Sequence, residues 1–403
     1  MRILIIHCTY RFKGGEETVV SQEMKLLKAQ GLEVELLSFS NERSALVNWL
    51  LLPFNPFSYN KVKKKLRSYR PHLVHVHNLH FAGSPSVLTA IRHSGIPYVM
   101  TLHNYRLLCP SATLFHQGKP FPHSLKQRFP WQAVRKAVYK RSHLLTFVMG
   151  LMVSLHDWLG TWRNCSAYIV FTDFAKELFL SSSRGFQPGR IVVKPNFSSG
   201  PDARPGSQAG SHFLYIGRLS EEKGIRTLLE AFAKVSYKIR IAGSGPLEAE
   251  VKAYSERYPH IEFIGVLKPE QVFAEMANGS ALLFPSIWYE GMPLSIIEAF
   301  ACGTPVIASE LGAMKSMITA GYDGLHFEAG NAADLERCLE QWMNMEPAEK
   351  QHYRNNARRT YEKLYTPEKN IQALLDIYSS VLNDGKENAI TLQAPAKSGS
   401  LAI

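Results

Sequence analysis

Two carboxylates bracket one short apolar stretch of the chain. In Tyr289-Glu290-Gly291-Met292-Pro293-Leu294-Ser295-Ile296-Ile297-Glu298-Ala299-Phe300-Ala301-Cys302-Gly303-Thr304-Pro305-Val306-Ile307-Ala308-Ser309, Gly291 and Pro293 suit a helix entrance and Gly303 its exit. Val306 and Ile307 then begin a buried strand. On this reading Glu290 lies in the loop before the helix and Glu298 lies between one and two turns inside, roughly 12 Å away along an ideal axis. They are too far apart to share a proton or a metal, but they suit the two ends of one elongated ligand. Between them the free N–H groups of Met292, Leu294 and Ser295 carry the positive end of the helix dipole, a place for a phosphate. Hydroxyls at both ends and an anion in the middle describe a nucleotide sugar. Glu298 stands among Ile296, Ile297, Ala299, Phe300 and Ala301, where a carboxylate is costly to bury unless donors such as ribose hydroxyls meet it. The alternative is a Glu298 that points to solvent, and for Glu290, in a loop, solvent is the simpler destination.

Other stretches hold cations and glycines where strands end. Tyr215-Ile216-Gly217-Arg218-Leu219-Ser220-Glu221-Glu222-Lys223-Gly224 follows a strand, so that Arg218 and Lys223 either meet a departing diphosphate or stand exposed on a loop. Thr101-Leu102-His103 also ends a strand, which turns His103 towards a cleft, although a lone His is as readily structural. Gly14-Gly15 follows the first strand and admits backbone close to a phosphate or sugar, or simply turns. No Gly-x-Gly-x-x-Gly follows that strand, which counts against a dehydrogenase.

Taken together, Glu-x7-Glu with Ala-x-Ala-x-Gly-x-Pro-Val-Ile-Ala-Ser and the upstream Phe284-Pro285-Ser286 resemble the signature of the retaining glycosyltransferases of the GT-B fold, family 4. The resemblance implies transfer of a sugar from a nucleotide-diphosphate donor, UDP- or GDP-linked, with retention at the anomeric carbon and no metal or other cofactor. Gly217-Arg218-Leu219 with Lys223-Gly224 matches that family's diphosphate clamp. Gly243 of Ala242-Gly243-Ser244-Gly245-Pro246-Leu247 would lie near the nucleotide, and Val266 and Leu267 would meet the base. Gly14 and Gly15 would approach the donor, His103 the transferred sugar, Glu290 its hydroxyls and Glu298 the ribose. Gly291, Met292, Pro293, Leu294 and Ser295 would complete the donor site. The leaving diphosphate itself would take the acceptor's proton. Two positions depart from the family: Gly118-Lys119-Pro120-Phe121-Pro122-His123 carries no cysteine pair, and Leu311-Gly312-Ala313-Met314-Lys315 lacks an acid. No Asp-x-Asp occurs, so the metal-binding motif of the other main glycosyltransferase fold is missing.

The elements that must hold these residues alternate. Strand-like runs at Ile3–His7, Leu32–Phe39, Leu73–His77, Tyr98–Leu102, Tyr168–Phe171 and Ile191–Val193 have helical patterns between several of them. The pattern breaks at the Ser/Gly/Pro-rich 198–207 and restarts at Phe213–Ile216, Ile239–Ala242, Ile261–Ile264, Ala281–Phe284 and Pro305–Ala308. Two doubly wound parallel-sheet α/β domains of Rossmann type follow, 1–197 for the acceptor and 198–365 for the donor, facing across a cleft. Thr366-Pro367-Glu368 starts a last helix over 366–382, which family likeness sends back to the first domain. The remainder, 384–403, has little to bury and is expected to lack structure.

At 403 residues with 45% apolar content the chain supports two cores. Its five cysteines are scattered without a Cys-x-x-Cys pair, as in a cytosolic protein with reduced thiols. Charge is one-sided: residues 1–200 carry a net +17 and 201–403 a net −5, giving the overall +12. Between Glu42 and Asp157 stand 16 basic residues and no acidic one. No nucleic-acid motif accompanies this charge, so no nucleic-acid partner is expected. The basic half instead suits an anionic membrane surface, since Ser44–Leu52 precedes Lys61–Arg67 and Arg135–Arg141 precedes the apolar Leu144–Leu155. That last run, about 12 residues, is too short to span a bilayer and reads equally as a buried helix. The expected acceptor is therefore a saccharide, lipid-pyrophosphate-linked, at the cytoplasmic face of the membrane, in surface polysaccharide synthesis. A nucleotide-sugar epimerase of the same architecture and a non-catalytic binding chain are the rivals.

Overall fold

The computed structural model describes residues 1–9, 15–40, 49, 51–79, 82–201 and 210–393, with only the backbone helix described over 384–393. The first domain is built on six parallel strands: β1 (Arg2–Thr9), β2 (Glu33–Ser40), β3 (Leu73–Asn78), β4 (Tyr98–Thr101), β5 (Ala167–Val170) and β6 (Ile191–Val193). They are ordered β2-β1-β3-β4-β5-β6. The second uses β7 (Phe213–Ile216), β8 (Ile239–Ala242), β9 (Ile261–Gly265), β10 (Ala281–Phe284), β11 (Val306–Ser309) and β12 (Gly324–Phe327). Their order is β9-β8-β7-β10-β11-β12, again parallel throughout.

Unbroken apolar strands are the reason for this arrangement. Ile3 to Ile6 and Val306 to Ala308 are fully buried, as expected where helices cover both faces of a parallel sheet. Each sheet order reverses once, between β1 and β3 in the first domain and between β7 and β10 in the second, and ligands bind at the carboxyl ends of strands beside such reversals. The residues singled out above follow β1, β4, β7, β8, β9 and β10, so the topology carries them to the interdomain cleft.

Of four helices, α1 (Gly15–Ala29) and α3 (Leu294–Ala301) border the cleft, while α2 (His143–Trp158) and α4 (Pro367–Gln393) pack on the first domain. α4 starts at the expected proline and lays Ile371, Leu374, Ile377, Tyr378 and Val381 onto Ile3, Ile5, Val99 and Ile169 of the first sheet. The last helix thus completes the first domain's core. It is longer than anticipated: helix continues through 384–393, where no structure was expected. Extending a formed helix costs little beside nucleating one, and Gly385 alone does not stop it. Residues 394–403 lie outside the described residues, as do 202–209 of the Ser/Gly/Pro-rich connection.

The two crossings between domains are tied together. Ser198 N–H donates to the Tyr365 carbonyl (3.2 Å), Tyr361 hydroxyl to the Ser198 carbonyl (3.0 Å) and the Asn370 amide to the Pro195 carbonyl (2.7 Å).

Candidate active site

α3 is a short helix held by its buried face. Ile296, Ile297, Ala299, Phe300 and Ala301 are inaccessible, and each large member contributes roughly 1.5–3 kcal/mol to fixing the helix. Leu294, Ser295 and Glu298, spaced three and four apart, share the remaining face. Pro293 stands at the N-cap with extended backbone and no side-chain cap, so the first N–H groups of α3 remain open. The cleft they face, about 520 Å³, is lined by Gly15, Glu16, His103, Asn104, Lys223 and Glu290 among others. A Cβ on Gly15 would lie 3.7 Å from Leu294 Cδ1, and one on Gly291 would lie 3.1 Å from the His103 carbonyl oxygen. Tyr105 hydroxyl donates to the Glu290 carbonyl at 3.2 Å. The two domains therefore meet at the 289–294 loop.

Glu298 is half-buried, and among the described residues no donor or cation is bonded to its carboxylate. Burial alone raises its pKa. Such a group lacks donors that a ligand's hydroxyls would supply. Glu290 is placed differently. It is buried, Lys223 Nζ lies 2.6 Å from its Oε1, and the Ser286 hydroxyl donates to the same oxygen at 2.7 Å. The sequence offered Lys223 and Glu290 separate ligand roles; the structure pairs them. Lys223 also lies over the rings of Trp288 (5.4 Å) and Phe284 (5.6 Å), where it is held facing the cleft. Arg218 is exposed, without a side-chain partner among the described residues.

Gly217, Gly243 and Gly265 align at the ends of β7, β8 and β9. The Gly243 N–H donates to the Gly265 carbonyl at 2.8 Å, and at φ +141° a Cβ on Gly243 would lie 1.8 Å from the Gly217 oxygen. Only glycine fits there. Val266, next in the chain, is 71% exposed, and Leu267 is half-buried. An apolar rim thus borders this glycine shelf. Gly14 lies outside the described residues.

His103 lies just beyond β4, its Nε2 3.0 Å from His77 Nδ1. Burial is the largest cause that drives its pKa down to about 3. Behind it Glu23, His75 and His77 place potential ligand atoms within 4.8 Å of one another. They do not suit a metal, because both His75 nitrogens are engaged, by Tyr378 hydroxyl (2.7 Å) and Thr101 hydroxyl (2.8 Å), and Glu23 is paired with Lys194 at 2.6 Å.

One acid in the cleft escaped sequence reading. Glu16, on the first turn of α1, accepts from the Asn78 amide (2.7 Å) and lies 3.5 Å from the Asn104 amide nitrogen. Burial outweighs those donors and pushes its carboxyl up to about 7. A carboxylate at a helix start is ordinary in sequence; Asn78 and Asn104, at the ends of neighbouring strands β3 and β4, were the available signal.

Comparison with known proteins bears on this geometry. Residues 13–197 match the family profile described as Glycosyltransferase Family 4, and residues 207–360 that described as Glycosyl transferases group 1. D-rhamnosyltransferase WbpZ of Pseudomonas aeruginosa is 30% identical over 158 residues, 38% of this chain and 41% of that protein. The phosphatidyl-myo-inositol mannosyltransferase of Mycobacterium leprae is 24% identical over 366 residues, 84% of this chain and 86% of that one. The first three curated relatives are matched over less than half of their own length, 48, 41 and 47%. In fold the chain is similar to sucrose-phosphate synthase from Thermosynechococcus elongatus, with TM-score 0.69, 19% identity and coverage of 95% and 99%. It is also similar to Anabaena HepE solved with UDP, with TM-score 0.65, 17% identity and coverage of 94% and 100%. Two parallel sheets facing across a cleft and both family profiles in sequence converge: the chain belongs to the group 1, family 4 glycosyltransferases and has their GT-B fold.

Proposed function

We propose that this protein moves a sugar from a UDP- or GDP-linked donor to a saccharide acceptor with retention at the anomeric carbon, without a metal. The observation that carries the reading is Glu298: a half-buried carboxylate with no bonded partner among the described residues, one turn along the same helix face as Leu294, beside open backbone N–H groups. A ribose would supply the hydrogen bonds it lacks. The diphosphate would lie against the start of α3, with Lys223 and Arg218 balancing its charge. Glu290 and His103 would border the sugar, and the glycine shelf and Val266 the nucleoside. The departing diphosphate takes the acceptor's proton. HepE was solved with UDP-glucose in one structure, which supports a nucleotide-sugar ligand for this cleft.

The acceptor is proposed to be lipid-pyrophosphate-linked and met at the cytoplasmic membrane face, as in bacterial surface polysaccharide assembly. Among the described residues no helix is long and apolar enough to cross a membrane. α2 answers both readings of its apolar run: Met149, Met152 and Val153 are buried, while Leu144, Leu151 and Trp158 are 69, 45 and 80% exposed. These three recur every seven residues, on one face. Trp131, 55% exposed, packs near Phe147, and the Pro53 carbonyl beside exposed Phe54 meets His156. Exposed Arg135, Lys136, Lys140 and Arg141 precede the helix. Apolar residues ringed by cations suit anionic headgroups. Of the stretch 44–52, residues 44–48 and 50 lie outside the described residues.

Thermal shift with UDP, GDP, ADP and their common sugar conjugates tests the donor site. Selective stabilisation by one nucleotide supports it, and no shift with any of them opposes it. Products analysed after turnover separate transfer from epimerisation, since an epimerase releases a changed sugar nucleotide and no free diphosphate. Turnover that persists in EDTA supports metal independence.

A further inference from the structure

Behind His103 runs a buried polar chain that binding and turnover have not yet been asked to use. Glu23, on α1, is 1% exposed and its Oε1 meets Lys194 Nζ, itself inaccessible, at 2.6 Å. Its other oxygen, Oε2, lies 3.5 Å from His77 Nε2, and neither atom has a hydrogen-bonding partner among the described residues, so the two face each other as a charge contact. His77 Nδ1 in turn lies 3.0 Å from His103 Nε2. His75 stacks on His77 with ring centroids 4.0 Å apart, and His7 stands edge-on at 6.4 Å.

The protons in this chain are determined one after another. Lys194 holds Glu23 ionised, with its pKa lowered against the opposing effect of burial, so Glu23 is an acceptor only. A ring nitrogen facing that carboxylate must carry hydrogen, because a lone pair there would be repelled. His77 is therefore protonated at Nε2. Burial and neighbouring His103, His7 and Lys194 keep His77 neutral, so its Nδ1 is a lone pair. His103 Nε2 must then donate to it. His103 is neutral as well, which leaves its Nδ1 as a lone pair, bonded to nothing among the described residues.

We propose that Glu23, acting through His77, is a positioning residue that fixes His103 as the Nε2–H tautomer and so presents Nδ1 to the cleft as a hydrogen-bond acceptor for a sugar hydroxyl. His103 consequently accepts from the ligand and does not donate to it. The assignment of a sugar to His103 rests on the transfer reading above; the tautomer does not.

The test uses the full chain with ¹⁵N-labelled histidine and long-range ¹H–¹⁵N correlation without ligand, the His103 signals being identified by their loss in His103→Gln. The expected spectrum shows His103 neutral, protonated at Nε2 and unprotonated at Nδ1. A proton on Nδ1, or an imidazolium at neutral pH, overturns the inference. The charge-balanced pair Glu23→Leu with Lys194→Met removes the carboxylate without stranding the ammonium. In it the His103 signals should become an average of two tautomers. Stabilisation by UDP-glucose or GDP-mannose, whichever the wild type binds, should weaken while stabilisation by the free diphosphate stays unchanged. An unchanged His103 tautomer in that folded variant refutes the role of Glu23, and if the variant does not fold the wild-type spectrum decides. A chain that shows the tautomer yet turns over no donor contradicts the transfer reading and leaves this one standing.

Discussion

Glu298 and Glu16 are both carboxylates that burial penalises, and each makes a separate prediction. Replacing Glu298 by Ala should weaken nucleotide-sugar binding roughly 10- to 100-fold, about 1.4–2.8 kcal/mol for lost hydrogen bonds to a charged group, as read by calorimetry. Stability should not fall, because no protein partner is left behind. For Glu16 the folded pKa of about 7 lies above the ordinary carboxyl value. Ionisation is then harder in the folded state, so wild-type stability declines as pH rises from the unfolded pKa through the folded one, and levels off above it. Glu16→Gln should therefore be more stable than wild type at pH 8 and equal to it near pH 4, in urea titrations at both. A stability difference that does not grow with pH would contradict the assignment. Lys223→Met should cost about 1–3 kcal/mol, since it leaves buried Glu290 with Ser286 alone and Lys223 was only 22% exposed. Adding Glu290→Gln should restore the melting temperature without restoring turnover. That Glu290 precedes the helix and Glu298 lies inside it was legible because Gly291 and Pro293 mark a helix entrance, and the helix spans Leu294–Ala301. The Lys223–Glu290 pair was not, for 67 residues separate its members and only the folded sheet order brings them together.

Among the elements, sequence located all the sheet strands but β12, because they are short apolar runs, and both parallel sheets followed from their alternation with helices; Gly324–Phe327, short and broken by His326, did not read as a strand. Sheet order, and with it which strand ends adjoin, is not written in periodicity. That is why Asn78 and Asn104 passed unnoticed as partners for Glu16. α2 shows a different limit, in that an almost unbroken apolar run over 144–155 does not say which of its faces is inside. The structure divides it between Met149, Met152 and Val153 within and Leu144, Leu151 and Trp158 without. Changing the outer three to Gln, Gln and Ser should alter the unfolding free energy by no more than about 0.5 kcal/mol per position, as for surface positions generally. The same variant should no longer float with anionic liposomes. Continued flotation would move the membrane contact elsewhere on the basic domain.

For the molecule as a whole, α4 is the last described element in sequence and part of the first core in space. Tyr378 is inaccessible and its hydroxyl meets His75 at 2.7 Å. Tyr378→Phe should lower stability by about 1–3 kcal/mol, the cost of leaving a buried hydrogen-bonding group unmet, in denaturant unfolding followed by circular dichroism. The tied crossings at Ser198–Tyr365 and Pro195–Asn370 have a bearing on how the protein is made. Domains usually fold as units, amino-terminal first, during synthesis. Here the first sheet leaves the ribosome early but lacks the side chains of Ile371, Leu374, Ile377, Tyr378 and Val381 that cover one of its faces. The second domain, although synthesised later, has all of its own strands in one continuous stretch and is free to fold as soon as it emerges. The nascent first domain must wait for α4, its apolar face open until that helix closes over it.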